Sequence, residues 1–308
     1  MQKYKILILG GTRFIGALFT ESLLKLNHDV YLSSRRMNRL VHKENQEVNE
    51  RENLVNGRFH KIEFDYIFDF NGYKPNQIID FKLKSDKSKY VFLSSAWIGR
   101  ELSEKTNNGD VTKVGRLDLS SYEYTLNKIN CEKKIVNLYH NNARIIRLPI
   151  IIGDKDPHQR MQYMIRRMIN NNKIAVPDIK NNQIEMSAVD DVVVELLRIM
   201  DSDDKYEYAD TKIVFESYIE LIHEIILVLN TGNKIESLSE QDYLHKLPNT
   251  SSADPFWREI RSTESLVDNK KKSESVIRLH NVMTKCLSQN LLKMQYENAI
   301  IEEKNYAF

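Results

Sequence analysis

Short apolar runs alternate along the first half of the chain with longer stretches in which apolar positions recur at helical spacing. Tyr4 to Leu9 is followed at once by glycines and predicts a buried strand. Phe14 to Leu26 carries the helical period, with Asn27 near its end. Asp29 to Leu32, Asp65 to Phe70 and Tyr90 to Leu93 predict three more strands, Ser121 to Tyr139 a helix, and Ala143 to Ile152 a strand ending at Gly153. Strands that are nearly all apolar and alternate with helices predict a parallel sheet covered on both faces. Met37 to Ile62 has a noisy pattern in which a helix and an irregular strand are expected.

After Gly153 the pattern changes. His158 to Asn170, Asp190 to Met200 and Glu216 to Leu229 predict helices, with a short strand near Tyr206 to Tyr208. Asn230 to Ser265 holds Pro248 and Pro255 and reads as loop-rich, and the tail from Ser273 as helical and charged. The division expected is a doubly wound α/β domain over residues 1–153 and a smaller C-terminal lobe over 154–308, with segments near 190–210 returning to the first. A length of 308 residues suits about two domains.

Composition narrows the classes. A net charge of +2 provides no field for nucleic acid or an anionic membrane, and the aromatics are not interleaved with a basic patch. Cys131 and Cys286 are far apart, which argues against a disulfide framework and for two inert thiols. The eight histidines show no paired ligand spacing, so no metal site is expected. Neither a signal-peptide pattern nor a long apolar run is seen, and a cytoplasmic location without membrane contact is expected.

Three motifs carry chemistry. Gly10-Gly11-Thr12-Arg13-Phe14-Ile15-Gly16 links a predicted strand to a predicted helix, the setting in which glycines admit a dinucleotide pyrophosphate to free helix amides. Tyr124 and Lys128 stand four apart on one helix face, where an ammonium lowers a phenol's pKa and makes it a usable acid/base. Ser94 and Ser95 end a strand, on the edge of a parallel sheet where ligands bind.

Together with Phe92-Leu93-Ser94-Ser95-Ala96, Arg147-Leu148-Pro149, Gly153 and Val189-Asp190-Asp191-Val192, these motifs resemble the extended short-chain dehydrogenase/reductases, the NAD-dependent epimerase/dehydratase family, over about residues 3 to 230. The resemblance implies Tyr124 as general acid/base, Lys128 on the nicotinamide ribose, Ser95 on the substrate oxygen, and Phe70, Asn71, Gly72 and Pro149 along the cofactor. It also implies an epimerase, dehydratase or reductase acting at a hydroxyl or carbonyl carbon of a sugar-nucleotide-like or other small polar substrate, with a Rossmann-type first domain, a substrate-binding C-terminal lobe and a homodimer. Ala96 and Trp97 follow Ser95 as substrate contacts. His158, Gln159, Arg160, Arg166 and Arg167 stand in the substrate lobe; a solvated helix face accounts for most of them, with Arg160 and Arg166 as phosphate candidates.

The chain departs from the family pattern at Arg13, in the shortened segment after Ser95, and at Ile184, where an arginine often holds the substrate diphosphate. These departures keep open a catalytically silent nucleotide sensor or an RNA-binding relative of the same fold. The second strand is followed by Ser33-Ser34-Arg35-Arg36, without the carboxylate of an NAD site, so Ser34, Arg35 and Arg36 predict NADP in preference to NAD.

Overall fold

The computed structural model describes residues 2–99, 119–178, 182–201, 206–208, 212–239, 241–243, 261–262 and 273–288. The chain divides into two units, residues 1–149 with 189–211, and residues 150–188 with 212–308.

In the first unit the apolar runs become β1 (Lys5–Leu9), β2 (Asp29–Ser34), β3 (Gln46–Val48), β5 (Tyr66–Asp69), β7 (Lys89–Ser95), β8 (Ala143–Leu148) and β12 (Tyr206–Tyr208). They form one seven-stranded sheet in the order β12-β8-β7-β5-β1-β2-β3, and every pairing is parallel. A side pair, β4 (Glu63–Phe64) with β6 (Lys82–Leu83), lies outside it. The first strand sits inside the sheet and the order reverses between β1 and β5, as in a doubly wound Rossmann-type fold.

Helices cover both faces because the strands are apolar on both. Phe68 meets Phe19 of α1 (Phe14–Lys25) at 4.5 Å between ring centroids, and α1 packs on α4 (Val189–Ile199). On the opposite face Leu7, Leu9, Ile67, Tyr90 and Phe92 bury with Cys131, Ile135 and Tyr139 of α2 (Leu119–Tyr139). The buried Lys89 ammonium donates to the Ile199 and Met200 carbonyls, placing a cation at the end of α4, and Tyr66 Oη donates to Met200 O as well.

Two expectations fail here. The stretch from Met37 to Ile62 holds no α-helix, only 3₁₀ turns (Lys43–Asn45, Arg51–Asn56, Arg58–Lys61) around β3. Buried Leu54 and Phe59 are too few for a helical stripe and Gly57 separates their turns. The run from Ala143 to Ile152 is two strands, because Pro149 cannot continue a ladder: β8 belongs to the large sheet, whereas β9 (Ile150–Ile152) pairs with β11 (Asn182–Ala188) in the second unit.

In the second unit, β11 (Asn182–Ala188) pairs with β9, β13 (Lys212–Phe215) and β15 (Arg261–Ser262), and β10 (Lys173–Pro177) pairs with β14 (Lys234–Leu238). Methionine-rich α3 (Arg160–Asn170), α5 (Tyr218–Leu229) and α6 (273–288) share their core. The loop-rich reading of Asn230 to Ser265 missed β14, and the tail contributes buried Leu279, Met283 and Cys286. Burial pushes the Cys131 thiol up to about 11 and that of Cys286 up to about 12.

Candidate functional site

The point where the strand order reverses is also where the chemistry gathers. Gly10 leaves β1 with φ +96°, a conformation closed to most side chains, and donates its N–H to Ser33 O at 2.9 Å. A Cβ on Gly16 would collide with the Gly10 carbonyl oxygen, so α1 begins directly against the turn. Thr20 Oγ1 donates to Gly16 O at 2.7 Å, and Asn38 Nδ2 donates to Gly11 O at 3.3 Å. Phe14 stands at φ +45°, a strained value for an aromatic residue at the first helical position. Arg13 is exposed and extended, and gives α1 no side-chain cap. Thr12 and Ile15 are half-buried beside them.

At the end of β2, Ser34 is buried and its hydroxyl donates to Arg36 O at 2.6 Å. Arg35 and Arg36 are exposed. Ser33 Oγ is buried with no hydrogen-bond partner among the described residues.

Across the reversal, the chain after β5 is held by a buried ion pair that sequence reasoning missed. Arg51, from the turn after β3, donates Nη1 to Asp69 Oδ1 at 2.8 Å and to Asn71 Oδ1 at 2.6 Å, Nη2 to Asp69 Oδ2, and Nε to Gln77 O at 2.7 Å. Asp69 is fully buried and also accepts from the Tyr90 hydroxyl at 2.7 Å and from the Asn71 and Gly72 amides at 3.2 and 3.0 Å. Burial alone would raise the Asp69 carboxyl, but Arg51, with help from Tyr90, holds it below the ordinary carboxylate value. The same loop brings Asn71 against the glycine turn: a Cβ on Gly10 would lie 3.1 Å from Asn71 Cγ. Phe70 is half-buried, 5.8 Å from the Phe19 ring. The sequence signal for this network was an aspartate ending an apolar run, with arginine after the preceding short strand.

Helix α2 supplies the other half. Lys128 is 3% exposed and its Nζ donates to Leu93 O of β7 at 2.9 Å. The ammonium lies 4.5 Å from the Phe92 ring centroid, 5.1 Å from that of Tyr73 and 6.0 Å from that of Tyr124. Burial lowers its pKa to about 8, and the Asp69 carboxylate opposes the fall. Tyr124 is half-buried, with its ring centroid 6.4 Å from that of Tyr73. Ser95 is buried at the end of β7. Ser94 is buried too; its Oγ has no hydrogen-bond partner among the described residues, and the pleat puts it on the Phe92 face. Ala96 is half-buried in a 3₁₀ turn that includes Trp97, whose side chain lies outside the described residues. Pro149 is buried after β8. The first unit thus gathers the glycine turn, Asn71, Gly72, Tyr73, Tyr124 and Lys128 at the carboxyl edge of β1, β5 and β7.

The remaining residues belong to the second unit. Arg160 Nη1 pairs with both oxygens of Asp156, at 2.9 and 3.0 Å, and Arg166 is exposed, with Nη2 3.2 Å from Gln159 Oε1. Arg167 donates to Ala175 O within its own unit. Ile184 is fully buried in β11. Among the described residues no cluster of His, Cys, Asp and Glu would hold a metal ion, and no helix is long and apolar enough to cross a membrane.

No family model and no curated protein matches the chain. Solved structures do. A dTDP-4-dehydrorhamnose reductase from Clostridium acetobutylicum matches at 14% identity, covering 91% of this chain and 98% of its own, with a TM-score of 0.61. A UDP-N-acetylglucosamine 4-epimerase from Methanobrevibacter ruminantium, in complex with UDP-N-acetylmuramic acid, matches at 15% identity, covering 94% of this chain and 100% of its own, with a TM-score of 0.58. A UDP-glucuronic acid 4-epimerase from Bacillus cereus, in complex with UDP-glucuronic acid and NAD, matches at 12% identity over 91% and 99%, with a TM-score of 0.54. At such identities the likeness speaks for architecture alone, and with the strand order above it shows a Rossmann-type, doubly wound α/β fold.

Proposed function

We propose that the protein is an NAD(P)-dependent epimerase, dehydratase or reductase, acting at a hydroxyl or carbonyl carbon of a sugar-nucleotide-like or other small polar substrate. The observation that carries this reading is the buried Lys128 ammonium, anchored to Leu93 O beside the Tyr124 ring at the edge where the strand order reverses.

The residues present fit a dinucleotide. Glycine at 10 and 16 lets the turn close against Asn71 and the start of α1 with no side chain between, and the turn opens a 12-residue helix whose first amides suit a pyrophosphate. Gly10, Gly11 and Gly16 would hold the phosphates, Asn71 and Gly72 would flank them, and Lys128 would bind the nicotinamide ribose. The nicotinamide, when bound, accepts or returns a hydride. NADP is the cofactor proposed, because Arg35 and Arg36 are exposed at the end of β2 where a 2′-phosphate would come; the Ser34 hydroxyl is already committed to Arg36 O.

In this reading Tyr124 takes or gives the proton of the substrate hydroxyl, and the Lys128 charge favours the phenolate it forms. Ser95 binds the substrate oxygen, and Ser94 is a second hydroxyl beneath the same edge. The structures compared are named for sugar-nucleotide enzymes, which supports that substrate class. Ile184 offers a diphosphate no charge, and Arg160 is engaged by Asp156, so Arg166 is the exposed arginine to which that contact would fall.

The test is a fluorescence titration with NADPH and NADH, then turnover on a panel of UDP- and dTDP-hexoses. Tyr124→Phe should cut kcat by roughly 10²–10⁴-fold with dinucleotide affinity unchanged. Absence of binding of either dinucleotide would overturn the reading.

A further inference from the structure

Tyr73 has no part in the roles assigned above, and its setting is unusual. It is 51% exposed although it is a large aromatic residue one step beyond a buried glycine. The loop that carries it is over-determined. Asp69 accepts the Asn71 and Gly72 amides, Arg51 bridges Asp69, Asn71 and Gln77, and Gln77 Oε1 accepts the Tyr73 amide at 2.9 Å. A Cβ on Gly72 would lie 2.8 Å from Ile78 Cδ1 and 2.9 Å from Phe92 Cε2, so this backbone is packed down and the next side chain is turned outward. A fixed loop that leaves half of an aromatic side chain in solvent forgoes part of the burial such a ring could gain.

Its place in the sheet suggests what that face meets. Neighbouring strands lie about 4.8 Å apart. The loop after β5 is one strand from the phosphate turn after β1, and β7, whose Leu93 anchors Lys128, is two strands away on the same side. A dinucleotide with its pyrophosphate at Gly10 and its nicotinamide ribose at Lys128 must cross the end of β5 between them. Tyr73 stands there, with its ring 5.1 Å from the Lys128 ammonium and 6.4 Å from the Tyr124 ring.

Resting on the cofactor reading above, we infer that Tyr73 is a cofactor-binding residue, an aromatic seat on which the nicotinamide half of the dinucleotide packs beside Tyr124. The face does the work, not the proton. Partial desolvation and then the Asp69 carboxylate raise the Tyr73 phenol above its ordinary value against a smaller opposing effect of Arg35, so it stays neutral.

The experiment uses the full chain with Tyr73→Ala and Tyr73→Phe. The probes are NADH and NADPH, with ADP-ribose and its 2′-phosphate as counterparts lacking nicotinamide. Binding is measured by calorimetry and by the emission of the bound reduced nicotinamide. Tyr73→Ala should weaken the reduced dinucleotides about tenfold and alter their bound emission, the size expected for loss of one aromatic stacking contact. The ADP-ribose affinities should stay within about twofold of wild type, and Tyr73→Phe should bind like wild type, because a phenyl face replaces a phenol face. Equal weakening of both ligand classes would make Tyr73 only a structural part of its loop, and unchanged dinucleotide binding would remove it from the site; either result overturns the inference. Unmutated protein that binds neither class would instead show that the cofactor reading itself has failed, and the inference falls with it.

Discussion

Replacing Arg51 by alanine should be among the most damaging single changes in the first unit. The guanidinium is within 7% of full burial and Asp69 is at 0%, so removing it strands a carboxylate in a dry interior. Breaking a buried pair from one side costs about 3–5 kcal/mol. The three donors left to Asp69, from Tyr90, Asn71 and Gly72, favour the lower end of that range. Spread over a unit of about 170 residues, this corresponds to roughly 6–20 °C in Tm. The pH dependence has a definite sign. In the wild type the Asp69 pKa is held low, so its contribution is present above the unfolded value and is lost as pH falls through the folded one. Without Arg51, burial raises that pKa above the unfolded value, so the penalty is absent in acid and grows as pH rises through the folded value. Urea unfolding followed by circular dichroism at pH 5 and pH 8 should therefore give a larger deficit at pH 8. Arg51→Lys should recover part of the loss, since an ammonium restores charge but not the fork that reaches Asp69, Asn71 and Gln77 together. A deficit under about 1 kcal/mol at pH 8, or one that grows in acid, would refute the account of a dry, charge-compensated pair.

Other expectations are briefer. Lys128, with its pKa brought down to about 8, should lose its ammonium in mild alkali, so dinucleotide affinity should fall as pH passes that value, and Lys128→Met should bind weakly without this dependence. The same depressed pKa makes the unfolded chain bind more protons between about 8 and about 10.4, so Lys128 should add stability as pH rises through that window. Arg35→Ala should weaken NADPH and spare NADH in a fluorescence titration; equal effects on both would remove the arginine from any 2′-phosphate site. Gly16→Ala should destabilise the protein and abolish dinucleotide binding by calorimetry, because the new methyl meets the rigid Gly10 backbone.

What could be read in advance followed from local physics. The parallel sheet was legible because β1, β5 and β7 each carry an apolar run, and the strand-turn-helix at Gly10 to Gly16 because glycines fall between a strand and a helix. The Tyr124–Lys128 pair was legible from spacing along one helix face. What stayed hidden depends on distant partners. Arg51 looks like one charge among several in a polar stretch until its turn brings it to Asp69, 18 residues on. Lys89 looks like the flank of a strand until α4, more than a hundred residues later, ends above it. The strand break at Pro149 was visible as a proline, but the change of sheet depends on where β11 lies, which the local pattern does not encode. Tyr73 carried no signal because its exposure follows from the packing of Gly72 against Ile78 and Phe92.

The return of residues 189–211 to the first unit has a consequence for how the chain is made. A ribosome that has released residue 149 has delivered six of the seven strands of the large sheet, but neither its β12 edge nor the helix that covers α1. Lys89 and Tyr66 then still lack the Ile199 and Met200 carbonyls to which they donate. Meanwhile β9 and β11 emerge before β13, so the second unit cannot finish first either. At about 5–20 residues per second the nascent sheet waits several seconds with an open face and an unpaired edge. That interval, rather than the stability of the finished protein, is when the chain is most exposed to aggregation and has most use for a chaperone.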